Sequence, residues 1–349
     1  MDNISTYQNV PNIDEILETA NNNFAARCWE VFDFQNNNNK VYKEWVKLVS
    51  REWSVVNSQW SISQSKFQHS LFTTHHWPPF LPISFFKTHE VYAAATQPAV
   101  VFTSSGTTGA NTSKHLVHSA EVYKKSFLRT FELFYGKPSD WAIIGLLPNY
   151  LERQGSSLVM MAEELIKESG DADSGLYLYD FEKLAAILKR REVAAQKTWL
   201  IGVTFALLDF AEQFPQPLKN TVVLETGGMK GRKKELTRLE VQDVLKQAFS
   251  LEDVHSEYGM TELLSQAYSR KDGRFFCPPW MKVLVRSEDD PLQINEFGTG
   301  VICIIDLANI YSCSFIATED LGKIYEDGSF EILGRMDNSD VRGCSQLFL

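Results

Sequence analysis

Positive charge is scarce in this chain: 34 lysines and arginines stand against 44 aspartates and glutamates in 349 residues, a formal net charge of −10. A surface that tracks nucleic-acid phosphates needs clustered basic residues. The short basic run from Lys230 to Lys234 reads only as a solvated helix start, so nucleic acid is not an expected partner. Cysteine is equally sparse. The five, at 28, 277, 303, 313 and 344, form no Cys-x-x-Cys pair and have no close histidine, which argues against a zinc site or a disulfide framework. An odd number of distant cysteines fits a reducing cytoplasm. Long apolar runs are also missing. None approaches the length of a membrane helix, and Met1 to Glu18 is polar and acidic, without the apolar core of a signal peptide. A cytoplasmic protein without a membrane span is expected.

What remains is a globular composition, 44% apolar and 22% charged, with enough chain for one large or two ordinary domains around a substantial core. Residues 1–96 are rich in Trp, Phe and Asn and predict an N-terminal helical portion, with helices near 13–33 and 41–56. Residues 97–280 alternate short apolar runs with amphipathic segments. Val100–Phe102, Trp141–Leu147, Thr198–Val203, Thr221–Leu224 and Asp253–Ser256 read as buried strands. Ser119 caps a helix that ends at Gly136, Ser156 or Ser157 opens another, and Thr237-x-x-Glu240 is a capping box for a helix ending near Phe249. This alternation predicts a largely parallel sheet with helices on both faces. Residues 281–335 show only short strands, Met281–Arg286, Gly300–Asp306, Lys323–Tyr325 and Phe330–Leu333, and read as a small β-rich subdomain closing over the site; 336–349 form a tail.

The chemistry is concentrated in Phe102 to Lys114, Phe-Thr-Ser-Ser-Gly-Thr-Thr-Gly-Ala-Asn-Thr-Ser-Lys. The glycines permit close backbone approach, and successive N–H groups form an anion-binding nest. The hydroxyls of Thr103, Ser104, Ser105, Thr107, Thr108 and Thr112 suit phosphate oxygens. Lys114 adds a point charge. A Walker loop needs Gly-Lys-Ser/Thr in succession, and here Gly109 and Lys114 are not adjacent, so a P-loop is excluded. Read alone, the segment has a Ser/Gly surface turn as its lesser alternative.

Three further segments follow in order: Ser256-Glu257-Tyr258-Gly259-Met260-Thr261-Glu262, Thr318-Glu319-Asp320-Leu321-Gly322 and Gly334-Arg335-Met336-Asp337. Together with the loop they resemble the adenylate-forming superfamily of acyl-CoA synthetases, luciferases and peptide-synthetase adenylation domains. Within it, the run Glu225 to Gly231, the segment Ser256 to Tyr268 and the terminal Val341-Arg342-Gly343-Cys344 look most like the LuxE-type acyl-protein synthetases of bacterial luminescence.

That resemblance implies an α/β fold of the adenylate-forming N-terminal-domain type, parallel sheets flanked by helices plus a β-rich part, with the mobile C-terminal domain absent. It implies ATP and Mg²⁺ as cofactors. Thr103, Ser104, Ser105, Gly106, Thr107, Thr108, Gly109 and Lys114 would grip the β- and γ-phosphates, Thr261 and Gly259 would lie at the α-phosphate, and Glu262 would help bind Mg²⁺. Gly227 and Gly228 would let adenine lie against the backbone with Tyr258 stacking on it, while Asp320 would accept the ribose hydroxyls and Arg335 would follow at the hinge. Glu319 stands where the superfamily commonly has glycine. Leu147, Pro148, Tyr150 and Ser156 fall where relatives line the acid, whose alkyl or aryl group they would suit. Met161, Cys277, Cys303 and Cys313 read as core, and His255 as a strand histidine.

By the same resemblance, Cys344 matches the cysteine that receives the acyl group. A thiolate there, its pKa lowered by neighbouring Arg342, would attack an acyl-adenylate; without the resemblance Cys344 reads first as a packing residue. The expected function is thus ATP-dependent activation of a carboxylic, fatty or aryl, acid with transfer to a protein thiol. Two rivals stand beside it: a ligase resembling the phenylacetate-CoA ligase branch that serves CoA or a carrier protein in trans, and a nucleotide-binding scaffold without catalysis.

Overall fold

The computed structural model describes residues 10–336, except 20, 57–76, 105–111, 149–154, 228–235 and 288–292. The chain begins with helices α1 (Ile13–Leu17), α2 (Phe24–Asn38) and α3 (Lys40–Val56). A single helix over 13–33 was expected. It is split because the consecutive asparagines at 21–23 sit in a 3₁₀ turn, a residue type whose side chain competes for backbone hydrogen bonds. Asn39 starts α3 by accepting the Tyr42 N–H at 3.0 Å.

A short strand β1 (Leu81–Pro82) and helix α4 (Phe85–Thr88) lead to β2 (Val100–Thr103) and β3 (Lys114–Val117). β2 is not a buried strand of the main sheet, as its apolar run suggests. It pairs antiparallel with β3 in a separate two-stranded sheet, with Thr103 opposite Lys114, and of Val100, Val101 and Phe102 only Phe102 is buried.

The α/β portion follows: α5 (Ala120–Tyr135), β4 (Ala142–Leu146), α6 (Ser157–Ser169), β5 (Gly175–Leu176), α7 (Phe181–Val193), β6 (Thr198–Gly202), α8 (Thr204–Gln213), β7 (Thr221–Glu225), α9 (Arg238–Phe249) and β8 (His255–Tyr258). Strands β5-β4-β6-β7-β8 are parallel. Every residue of β4 and β6 is buried, as expected of strands covered on both faces. One layer of core holds Phe127, Phe131 and Met161 against Trp199, Ile201 and Leu224; the other holds Leu188, Phe210 and Leu245 against Leu200 and Val223. The capping box of Thr237 and Glu240 forms at α9 as read from sequence.

From β8 the direction changes. β9 (Ala267–Ser269), β10 (Phe275–Phe276), β11 (Met281–Arg286), β12 (Ile294–Asn295), β13 (Gly298–Asp306), β14 (Phe315–Ile324) and β15 (Phe330–Arg335) are antiparallel. Among the described residues, thirteen strands thereby join one sheet, ordered β12-β11-β13-β14-β15-β10-β9-β8-β7-β6-β4-β5, with β1 beside β14. The seam where parallel pairing gives way to antiparallel pairing is β8, and the candidate residues Tyr258, Thr261 and Glu262 lie at or just past its end. Among the described residues no helix is long and apolar enough to cross a membrane.

Candidate active site

The Ser/Thr/Gly loop joins β2 to β3, so its ends are set by hairpin geometry. Ser104 N–H donates to the Ser113 carbonyl at 3.1 Å, and Ser113 N–H donates to Ser104 Oγ at 3.0 Å. Ser105, Gly106, Thr107, Thr108 and Gly109 lie outside the described residues; Lys114 is exposed on the hairpin. Thr103 N–H donates to the carbonyl of Gly155 at 2.9 Å, which ties the hairpin to the start of α6. Gly155 has φ +85°, and a Cβ there would lie 2.8 Å from the Val101 carbonyl, so glycine is required by both conformation and space.

Thr261 and Glu262 follow β8 and reach this hairpin. Glu262 is only 5% exposed. Burial pushes its carboxyl pKa up, and a hydrogen bond from Ser113 opposes this. Ser113 was not singled out in sequence, yet it is the hairpin residue that meets the acidic side chain. The turn is braced from beneath by two residues with no motif signature. His115 Nδ1 donates to the Thr261 carbonyl at 2.8 Å, and its Nε2 lies 2.9 Å from Asn309 Oδ1. Asn309 Nδ2 donates to the carbonyls of Glu262 at 2.8 Å and Cys313 at 3.0 Å. Two oxygen acceptors favour a protonated His115, but burial is the larger effect and lowers its pKa to about 4.

Asp306, at the end of β13, holds the next stretch. Its carboxylate accepts the N–H groups of Leu264 at 2.8 Å and Ser265 at 3.0 Å, and the Ser265 hydroxyl at 2.6 Å. A wholly buried carboxylate is tolerable only with such donors. No local sequence signal marks Asn309 or Asp306 as partners of a turn more than forty residues earlier.

Tyr258 and Asp320 are brought together directly: the Tyr258 hydroxyl donates to Asp320 Oδ2 at 2.8 Å. The Tyr258 ring, 9% exposed, packs edge-on against Phe330 and tilted against Phe275. It is therefore largely enclosed, and the hydroxyl is what it directs at Asp320. Burial raises the Asp320 pKa, opposed by the Tyr258 hydrogen bond and then by Arg335. Arg335 stands opposite Asp320 across β14–β15, its Nε 3.9 Å from Asp320 Oδ1. Glu319, the departure noted above, lies 3.3 Å from the same guanidinium, so its charge has a counterion.

Gly227 adopts φ +78° and donates its N–H to Glu225 Oε1 at 2.6 Å; its carbonyl accepts the Thr204 N–H at 3.0 Å. Gly228 lies outside the described residues, and Gly259 is exposed. Of the expected acid-lining residues, Ser156 is half-buried and caps α6 by accepting the Val159 N–H at 3.3 Å. Leu147 and Pro148 are instead buried. Leu147 belongs to the core under α7–α9, because the β4 run continues into the sheet interior, and it packs rather than lines an opening. Tyr150 and Cys344 lie outside the described residues. Met161, Cys303 and Cys313 are core, as read from sequence; Cys277 is half-buried. His255 is a strand residue in contact with Tyr135 Oη at 3.1 Å.

The architecture is the expected α/β one, a large sheet flanked by helices. In particular, it is similar to the solved ATP-bound MatB from Rhodopseudomonas palustris, with a TM-score of 0.51 and 16% identity over 71% of this chain and 49% of that one. It is also similar to an ATP-bound RpMatB–BxBclM chimera, at TM-score 0.50 and 18% identity over 70% and 50%. The chain spans about half the length of these structures. No protein-family model and no curated protein matches it in sequence.

Proposed function

We propose that this protein is an ATP-dependent acyl-activating ligase. A carboxylate oxygen of the acid attacks the α-phosphorus of ATP, the P–O bond to pyrophosphate breaks, and an acyl-adenylate forms. The observation that supports this reading most is convergence: the β2–β3 hairpin, the Glu262 carboxylate against Ser113, and the Tyr258–Asp320 pair all lie around the end of β8. These elements come from three separate stretches of sequence. A binding relic has no evident need for a buried carboxylate held against a phosphate-loop hydroxyl.

The residues divide the work. The hairpin N–H and hydroxyl groups with Lys114 bind the departing phosphates, where charge develops. Asp320 takes the ribose hydroxyls, and Gly227 gives adenine flat access to the backbone. Glu262 is a hard oxygen donor beside the phosphate loop and fits Mg²⁺. Among the described residues no cluster of three His, Cys, Asp or Glu could hold a metal alone, so such an ion would complete its shell with phosphate and water. When bound, Mg²⁺ supplies charge neutralisation for the leaving pyrophosphate.

In the second half-reaction the Cys344 thiolate attacks the acyl carbonyl carbon and AMP leaves, giving an acyl-protein thioester. The test is acid-dependent pyrophosphate–ATP exchange, followed by intact-protein mass measurement beside Cys344→Ala. Exchange plus an acyl mass increment that the variant lacks supports both steps. Exchange with AMP release only when CoA or a carrier protein is added moves the acceptor elsewhere. ATP binding without exchange under any acid refutes the ligase reading.

A further inference from the structure

Helix α4 is short, but the fold fixes it against both stretches that build the site. Its entry is held to β14: Leu81 and Pro82 of β1 pair in parallel with Ile316 and Ala317, and the Ile83 N–H donates to the Ala317 carbonyl at 2.9 Å. Thr318 to Asp320 follow directly along that strand. The helix itself is held to β3. Phe86 is buried and packs edge-on to the ring of His115, with centroids 5.8 Å apart, and His115 is the residue that grips the Thr261 carbonyl. Thus α4 stands against the hairpin strand that begins at Lys114 and against the brace of the Thr261–Glu262 turn.

Lys87 follows Phe86 and cannot share its buried direction, since successive helical residues point about 100° apart. It is exposed, and among the described residues its ammonium enters no hydrogen bond or ion pair. Against the burial that governs the Glu262 carboxyl, the charges of Arg335 and then Lys87 both act. The two cations differ in what else they hold. Arg335 lies 3.3 Å from Glu319 and 3.9 Å from Asp320, so two carboxylates already share its charge. Lys87 has all three donors to give. An exposed lysine is ordinarily solvated and nothing more; this one is set apart because its chain neighbour is locked on His115 while a buried carboxyl lies within reach of its charge.

The reaction has a use for a cation there. When the acid oxygen attacks the α-phosphorus, the bond from that phosphorus to the bridging oxygen breaks and its electron pair leaves with pyrophosphate. Negative charge grows on the departing group close to Glu262, and donors already in place where charge develops are what speed such a step. Lys114 is one. We propose that Lys87 is a second, its ammonium binding the β- or γ-phosphate of ATP and staying with the pyrophosphate as it departs. No proton moves, and the lysine remains an ammonium throughout. The N-terminal helical portion thereby supplies a catalytic group to the α/β core. This deepens the ligase reading and rests on it.

Titration calorimetry with ATP and with AMP, beside pyrophosphate–ATP exchange, tests the assignment in Lys87→Met and Lys87→Arg. Methionine keeps an unbranched stem without the charge, and at an exposed position thermal melts should match the wild type. In Lys87→Met the Kd for ATP and the KM for pyrophosphate should rise about 10- to 100-fold, the range of a hydrogen bond to a charged group. AMP, which lacks both phosphates, should bind as before, and Lys87→Arg should recover most of the loss. Unchanged values for ATP and pyrophosphate, or an equal loss for AMP, overturns the proposal and leaves the ligase reading standing. A wild type that binds ATP but exchanges with no acid refutes the ligase reading and the catalytic role of Lys87 with it, and the ATP-against-AMP comparison then still decides whether Lys87 holds the phosphates.

Discussion

In the proposed site Asp320 concentrates the nucleotide chemistry in one side chain, because it accepts from Tyr258 and leaves its other oxygen within reach of Arg335. Asp320→Asn keeps an oxygen for Tyr258 but removes the charge. Hydrogen bonds to charged groups contribute about 1.5–3 kcal/mol, so KM for ATP should rise roughly 10- to 100-fold with little change in melting temperature; an unchanged KM would exclude Asp320 from ribose recognition. Asn309 acts differently. It touches no reacting group, and Asn309→Ala strands the carbonyls of Glu262 and Cys313 together with His115 Nε2. Denaturant titration should show a loss of about 2–4 kcal/mol, and exchange activity should fall further than that loss explains as the Thr261–Glu262 turn loosens. Glu257 gives a pH signature. Its pKa is raised by burial from 4.5 to about 8 in the fold, so between those values the native state holds a proton that the unfolded chain lacks, and stability falls as pH rises across that window. His115 and His255, both lowered to about 4, act in the opposite sense and withdraw stability as pH drops below 6.5. Melting temperature should therefore decline toward pH 8, offset by these histidines only near pH 6.5, where the unfolded chain still protonates them, and Glu257→Gln should flatten the decline; an equally steep variant would show that the carboxyl is not the source.

In the proposed site the β2–β3 hairpin serves ATP and acid jointly, since Thr103 bonds to Gly155 and Gly155 leads into α6 through Ser156. Gly155→Ala forces an L side chain into positive φ and drives its Cβ against the Val101 carbonyl. The expected cost is about 1–3 kcal/mol of stability, with KM rising for both ATP and the acid. A rise for ATP alone would mean that the hairpin and α6 are not coupled. This hairpin also marks where reading from sequence stopped working. Val100 to Phe102 has the composition of a core strand, but its partner is the chain just beyond the loop, and a pairing choice of that kind is invisible in a local apolar run. Lys323 to Tyr325 reads as a short strand of its own, whereas β14 begins at Phe315 because β13 and β15 flank it on both sides. Buried parallel strands and capped helices were readable, since continuous apolar runs and a capping box are local signals. Tyr258, Thr261, Glu262 and Asp320 were readable as candidates through resemblance. Ser113, His115, Asn309 and Asp306 were not, since each acts through a contact with distant chain, and an ordinary serine, histidine, asparagine or aspartate carries no mark of that in its neighbours.

Composition along the chain suggests a division near residue 280, yet the strands on either side belong to one sheet and one of its cores extends from Ile16 to Phe330. Phe315 shows why this matters for stability. It lies on β14, fully buried, stacked near Tyr42 of α3 and edge-on to Phe32 of α2 and Phe80, so the N-terminal helices and the antiparallel strands share its side chain. Parallel and antiparallel parts meet in a buried junction, because Tyr268 and Ala267 of β9 are as buried as the β6 strand. Unfolding either part alone would expose the shared apolar face of the other, at about 25 cal/mol per Å². A single calorimetric transition is therefore expected, with calorimetric and van't Hoff enthalpies in agreement. Phe315→Ala should lower it as a unit by about 3–5 kcal/mol, and pyrophosphate exchange and near-UV circular dichroism should be lost together in urea. A second transition in that variant, with exchange surviving the first, would mean that the sheet is continuous in hydrogen bonding but divided in stability, and that the nucleotide site belongs to the parallel part alone.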